Sequence, residues 1–541
     1  VTTARELADD LLAVAMDADP VMATLMGVPG RDDKLPDPSA EADREVCRRA
    51  EGIAELARSG EDDPVTRAVV VQQAVALARR ADANLIEHTH AEGLNAPVAL
   101  LLNALPLIRP ADDRAGRAYL TRLSGFPRYL EALAHRQRGS SRRPVAHLVA
   151  AAVARLDRYL AEDADPLAIP LRDTALAAEC AVLLETSVRP AFARYRDFLR
   201  TEIAPRGRSA DEPGLCWLTG GGELYADLIG MYTTTDHTAE QLHRIGLDLI
   251  EALDREYEEI GARVFGPIPA DRVRARLLDD PALRWATAEE MLVLAEETIA
   301  RAERAAGDWF GTVPAARCAV AAVPESDAPN APLAYYLDPA LDGSRPGTYF
   351  VNTHQAEQRD RFSAEATAFH EGVPGHHFQI ALAQQLTDLP LLRRFASIEA
   401  YLEGWALYTE RLADEMGLYS SDVARLGMLS ADSLRAARLV VDTGIHALRW
   451  TRQQAVDYLR AHAVMPDVDI FSEVDRYIEN PAQALSYMVG RLEIQRLRGE
   501  AERRLGDRFD IRAFHDLVLG GGPLPMAVLA DVVDRWCDSA G

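Results

Sequence analysis

Over the first two hundred residues apolar side chains recur at three-and-four spacing almost without a break. That period restricts this part of the chain to helix packed on helix. Alanine, leucine, arginine and glutamate, all good helix formers, fill the repeats. The clearest predicted helices run from Thr66 to His88, from Val145 to Leu160 and from Thr174 to Ile203. Loops rich in Asp, Pro and Gly separate them, such as Gly30 to Ser39 and Ala204 to Gly214. The second loop is a candidate boundary between an N-terminal helical lobe over 1–210 and a second lobe over 211–541, although two lobes can share one core and count as one domain.

Helices continue after Gly222. Two of them carry predicted capping boxes, Thr238 with Gln241 and Thr287 with Glu290. Gly220-Gly221-Gly222 precedes a helix, a place for an anion or simply a loop. The pattern changes at Ala315. Arg317 to Val323, Leu333 to Leu337 and Thr348 to Asn352 are short, β-branched and aromatic, and are bounded by Pro, Gly and Asp, so they predict three strands. An edge strand offers backbone N–H and C=O groups to which an extended peptide can add. Helical spacing then resumes over Gln379 to Leu386, Ser397 to Leu418, Asp432 to Trp450 and Pro481 to Arg503, with a last helix to Trp536. The expected fold class is mainly α, with a small β-sheet.

Composition removes several function classes. The 541 residues, 48% of them hydrophobic, suffice for a large core. A net charge of −25 argues against nucleic acid or an anionic membrane as partner. Lys34 is the only lysine and lies in a polar Asp/Pro-rich loop, which leaves no residue for Schiff-base chemistry or a phosphate-binding P-loop. Cys47, Cys180, Cys216, Cys318 and Cys537 are odd in number and dispersed, so neither a disulfide framework nor a thiolate zinc site is expected. No run is long and apolar enough to span a membrane, and the first residues lack a basic-then-apolar pattern; a cytoplasmic protein is the expectation.

The chemistry concentrates in His370-Glu371-Gly372-Val373-Pro374-Gly375-His376-His377-Phe378-Gln379. Imidazoles beside a carboxylate are the parts of a zinc site, ligands and a general base. The stretch is not H-E-x-x-H on a regular helix, because Pro374 occupies the position four after His370 and cannot bind metal. Pro374 also lacks the N–H that would bond the carbonyl of His370, and two glycines flank it, so the helix must kink, bulge or stop. The second ligand then comes from His376 or His377. By angle on a regular helix His377 is the better partner, whereas a bulge of two residues puts His376 in place.

A catalytic zinc generally has three protein ligands and one open position. Glu403 lies 27 residues after His376 and 26 after His377, in Tyr401-Leu402-Glu403-Gly404-Trp405-Ala406-Leu407-Tyr408-Thr409-Glu410. Glycine after the glutamate would let another helix approach closely. Glu399, one turn earlier, competes for the role of third ligand, and Glu410, two turns later on the same face, is placed to support a ligand from behind.

The stretch H-E-G-V-P-G-H-H-F-Q followed by E-G-W-A-L-Y-T-E resembles the bacterial family numbered 885 among the domains of unknown function, whose signature is H-E-x-x-P-G-H-H with a downstream E-G-W-A-x-Y-x-E. Asp442-Thr443-Gly444-Ile445-His446, Arg476-Tyr477 and Pro481 to Tyr487 also match, and the resemblance covers nearly the whole chain. The family in turn resembles the zincin metallopeptidases whose third ligand is a glutamate. The resemblance implies a zincin-like, two-lobed helical body with a deep cleft, a bound Zn2+, and His370, His376 or His377, and Glu403 as its ligands. Glu371 is the expected general base. Tyr487 and His446 are the candidate donors to the tetrahedral intermediate. Arg491 is a candidate clamp for a substrate carboxylate, or an ion-pair partner of Glu493 or a neighbour, and Tyr349 is a second candidate substrate contact. Arg438, Asp442 and His446 fall at i, i+4 and i+8 of one helix, either as a network supporting the site from behind or as a solvated ion-pair row.

The expected function is zinc-dependent hydrolysis of peptide or amide bonds in small substrates. The same metal and base could instead run a lyase or modification step on a small molecule, and a non-catalytic binding protein with a degenerate site is the third possibility.

Overall fold

The computed structural model describes residues 2–540 except 94, 326–327, 329–330 and 341–344. It is mainly helical, with one three-stranded sheet. The chain divides into two compact units. One takes Val1–Leu228, Ile445–Ala455 and Ser472–Pro481, and the other takes Ile229–Gly444, Val456–Phe471 and Ala482–Gly541.

In the first unit the helical period buries one face of each helix. Leu123, Phe126, Leu130, Phe192 and Tyr195 share a single apolar cluster. The helix predicted from Val145 to Leu160 appears at Ala146–Ala161, whereas that predicted from Thr66 to His88 runs over Pro64–Asp82 and stops before a separate 3-10 turn at Leu85–Glu87. The stretch expected as one helix from Thr174 to Ile203 is interrupted by two π-turns, Leu184–Val188 and Leu199–Ile203. Each inserts a residue into the i→i−4 ladder without breaking the helix. Arg122, 1% exposed, is held by the carbonyls of Pro20, Arg31 and Lys34, so a buried cation ties the first loop to the core.

The second unit carries the metal-type motif. Its supporting elements are the helix α1 (Ala288–Trp309), the strands β1 (Ala319–Ala322), β2 (Ala334–Leu337) and β3 (Thr348–Val351), and the helices α2 (Ala364–Glu371), α3 (His376–Gln385), α4 (Glu399–Glu415), α5 (Asp422–His446) and α6 (Ser486–Leu505). Thr238 and Gln241 form the full capping box, each bonding the other's backbone N–H. Thr287 caps α1 through the N–H of Glu290, but the Glu290 side chain bonds Ala286 instead, so that box is only half made. Helix α5 begins ten residues before the predicted start, since Asp422 to Ala431 continues the same apolar face.

The sheet order is β1-β3-β2, with β1 parallel and β2 antiparallel to β3. Tyr335 stacks on Phe350 directly across the antiparallel pair, ring centroids 5.1 Å apart, the kind of cross-strand contact that stabilises a short sheet. The Asn352 N–H donates to the Leu333 carbonyl at 3.0 Å. Residues 333, 335 and 337 therefore turn their backbone groups toward β3, while Ala334 and Tyr336 turn theirs to the outer edge.

Candidate metal centre

The helix that bears His370 ends where the sequence requires. Helix α2 stops at Glu371, and Gly372 leaves helical geometry at φ −102° and ψ −115°. A new helix, α3, begins at His376. The turn between them is tight. A Cβ on Gly375 would lie 1.9 Å from the carbonyl oxygen of His370, so only glycine fits. The buried Trp405 of α4 donates its indole N–H to the Pro374 carbonyl at 2.9 Å and pins the turn from below. The net effect is that two residues bulge out and His376 swings round to face His370. The two rings are perpendicular, with centroids 4.9 Å apart.

Glu403 of α4 completes the group. Its Oε2 lies 3.4 Å from His370 Nε2 and 3.5 Å from His376 Nε2. Among the described residues this is the only trio of His, Cys, Asp or Glu side chains whose ligand atoms all fall within 4.8 Å of one another. A tetrahedral zinc with bonds of about 2.0–2.2 Å holds its ligand atoms roughly 3.3–3.6 Å apart. The donor set and spacing therefore fit that ion. Glu403 is brought in by a close helix crossing. A Cβ on Gly404 would lie 2.5 Å from the backbone of Gly490, so α4 and α6 meet glycine to glycine. The competing Glu399 is instead bonded by the Gln483 side chain at 3.3 Å.

Behind the trio, Glu410 Oε1 accepts from His370 Nδ1–H at 2.8 Å, which leaves Nε2 as the atom facing Glu403. Thr409 donates to the carbonyl of Phe369, a second tie from α4 to α2. Burial disfavours a charged His370, but hydrogen bonds with Glu403 and Glu410, and the fields of Glu410 and Glu371, outweigh it and push the imidazole up to about 10. Burial likewise opposes the Glu403 carboxylate, yet its bonds to His370 and His376 hold it well below the usual range.

The remaining expected site residues are employed elsewhere. His377, expected as an alternative metal ligand, points away from the trio: its Nε2–H donates to the Ala316 carbonyl at 3.0 Å and its Nδ1 accepts from the Tyr336 hydroxyl at 2.9 Å. Gly347 makes room for that pair, since a Cβ there would lie 2.0 Å from the hydroxyl. His446, expected as a catalytic donor, is fully enclosed. It accepts the Leu215 N–H at Nδ1 and donates from Nε2 to the Tyr477 carbonyl, and burial pushes it down to about 4. Asp442 accepts the Ala482 N–H, so the spaced row on α5 is a set of buried ties rather than a solvated face. Arg491, expected as a carboxylate clamp, is buried in an ion pair with Asp432, which also binds Arg411. Tyr349 lies inside the sheet at 3% exposure and is not among the residues lining the cavity. Tyr487 is half-buried under Arg438 and Arg435, with guanidinium carbons 4.8 and 5.9 Å from its ring centre.

His370 and Glu371 open onto a cavity of about 290 Å³. Leu333 and the first residue of β2, Ala334, form part of its wall, and Glu410, Arg435, Asp360 and Asp469 contribute the other charged groups. Arg435 escaped sequence reasoning. It lies one turn from Arg438 in an alanine- and arginine-rich helix, and no local signal separates a cavity-lining arginine from a surface one.

A model of the family described as bacterial protein of unknown function (DUF885) matches residues 20–533, and the chain belongs to that family. Two solved structures are similar to it. A "putative lipoprotein" from Colwellia psychrerythraea superposes with a TM-score of 0.91 at 27% identity, covering 100% of both chains. A "putative lipoprotein of unknown function" from Shewanella oneidensis superposes with a TM-score of 0.79 at 18% identity, covering 98% of this chain and 100% of its own. No curated protein matches the sequence. Among the described residues no helix is long and apolar enough to cross a membrane.

Proposed function

We propose that this member of the DUF885 family is a zinc-dependent hydrolase acting on peptide or amide bonds of small substrates. The observation that carries the reading is the trio His370, His376 and Glu403 at 3.4 and 3.5 Å, with Glu371 beside it on the wall of a cavity. A zinc ion held there would supply a Lewis acid and lower the pKa of a water molecule. The chain's own groups do the rest. Glu371, at the last position of α2, takes the proton of the attacking water and returns it to the departing nitrogen. Glu410 keeps His370 in the tautomer that presents Nε2. The outer edge of β2, where Ala334 and Tyr336 present their backbone groups, is available to align an extended substrate as an added strand, and Ala334 lies on the cavity wall.

The likeness to zincin metallopeptidases belongs to this proposal. It is supported by the order of parts: a small sheet, a helix ending in His-Glu, and a second helix bringing the glutamate. The test is elemental analysis joined to a conservative variant. The purified protein should carry about one zinc per chain, and Glu371→Gln should retain it while turnover of a short-peptide library falls on the order of 10²–10⁴-fold. Absence of zinc binding, or near-normal turnover in the variant, overturns the reading.

A further inference from the structure

Of the charged groups around the cavity, Arg435 stands apart. Two other arginines of the unit are paired with carboxylates: Arg411 with Glu256 and Asp432, and Arg491 with Asp432. Arg435 projects from α5 onto the cavity wall, and among the described residues no carboxylate pairs with it. Its one hydrogen bond is a long one, 3.4 Å, to the Ala431 carbonyl of its own helix. Its Nε is buried with no partner. The guanidinium is steered by the Tyr487 ring at 5.9 Å rather than neutralised.

A desolvated guanidinium N–H without an acceptor is unfavourable unless something else supplies the acceptor. Some other polar groups of the wall already have partners. Ser363 donates to Asp360, and Glu410 holds His370. The fork geometry of arginine suits the two oxygens of one carboxylate. A volume of about 290 Å³ lies at the low end for small-molecule pockets, which corresponds to an occupant the size of a short peptide. In so short a ligand the charge always present at one end is its terminal carboxylate.

We propose that Arg435 anchors the free terminal carboxylate of the substrate, making the enzyme selective for short acids cut close to their C-terminal end. This rests on the hydrolase reading above and adds the substrate class. Tyr487 then acts as a positioning residue, a ring that holds the guanidinium toward the cavity.

The experiment compares N-acetylglycyl-leucine with its C-terminal amide, and with a C-terminally amidated peptide bearing a glutamate side chain. The proteins are zinc-loaded wild type, Arg435→Gln and Arg435→Lys, each checked for zinc content. A charge-assisted pair contributes enough to make the ratio of kcat/KM for acid over amide about 10–100-fold in wild type. The ratio should fall to near one in Arg435→Gln and recover in part in Arg435→Lys, which keeps the charge but loses the fork. A ratio that survives in Arg435→Gln overturns the anchor, as does a preference that follows the glutamate side chain instead of the chain end. Equilibrium binding of the same three ligands is measured in the Glu371→Gln background with and without Arg435→Gln. Acid binding that depends on Arg435, together with a zinc-loaded wild type that hydrolyses none of the peptides, would keep the anchor and reject the hydrolase. Hydrolysis without any acid preference would do the reverse.

Discussion

Replacing Gly404 by alanine tests whether a helix crossing sets the geometry of the metal centre. The added Cβ would lie 2.5 Å from both Cα and C of Gly490 and 2.9 Å from the backbone nitrogen of Arg491. All three are backbone atoms, so no side chain can turn aside. Carbon atoms rest about 3.5–4.0 Å apart, so α4 and α6 must separate by about 1 Å. Overpacking of this kind costs about 1–3 kcal/mol. Glu403 is the preceding residue and moves with the helix, while His370 and His376 are held by α2 and α3. A displacement of order 1 Å far exceeds the roughly 0.2 Å tolerance of a metal–ligand distance. Zinc affinity should therefore fall by at least the roughly 10–100-fold typical of losing a supporting contact. The assay is chelator competition for zinc, with thermal denaturation of the metal-free protein alongside. Gly499→Ala on α6 is the control, because nothing lies within 4 Å of its added Cβ. There alanine should be neutral or stabilise by about 0.5–1 kcal/mol. Wild-type zinc affinity and melting temperature in Gly404→Ala would refute the reasoning.

Three further outcomes are expected. His376→Ala should lose zinc, whereas His377→Ala should keep it and lose about 1–3 kcal/mol of stability, because the Ala316 carbonyl and Tyr336 hydroxyl lose their partner; zinc titration with denaturant unfolding separates the two. Trp405→Phe removes the donor to the Pro374 carbonyl and should destabilise by about 1–3 kcal/mol while weakening zinc binding, read by the same two measurements. Glu479 accepts the N–H groups of His90, Ala91 and Glu92, but burial dominates and raises its carboxyl from 4.5 to about 7. Folding therefore favours the protonated form: the contribution is complete below about pH 4.5 and is lost as pH rises through about 7, a difference of about 3 kcal/mol. Glu479→Gln should flatten that part of the stability curve in urea unfolding from pH 4 to 8, and an unchanged slope would refute the assignment.

What the sequence by itself determined follows from short-range physics. Helical period in the first unit, three short strands before the motif, and the interruption at Pro374 all depend on neighbours within a few residues; the strands and the interruption appear where expected, and the helices do so in outline, with two π-turns that the period did not show. The same holds for Gly404, whose value lies in having no side chain at a crossing. Tertiary structure decided what each polar side chain touches. A regular helix favours His377 by angle, but the Gly375 turn and the Trp405 tie rotate His376 inward and send His377 to the sheet. Arg491 and Arg435 look alike in sequence, on helices of similar composition. Asp432, 59 residues before Arg491, takes one of them, and among the described residues no carboxylate pairs with the other. Spacing along a helix reports which residues share a face, whereas the partner waiting opposite that face comes from a distant part of the chain, and only the packed fold supplies it.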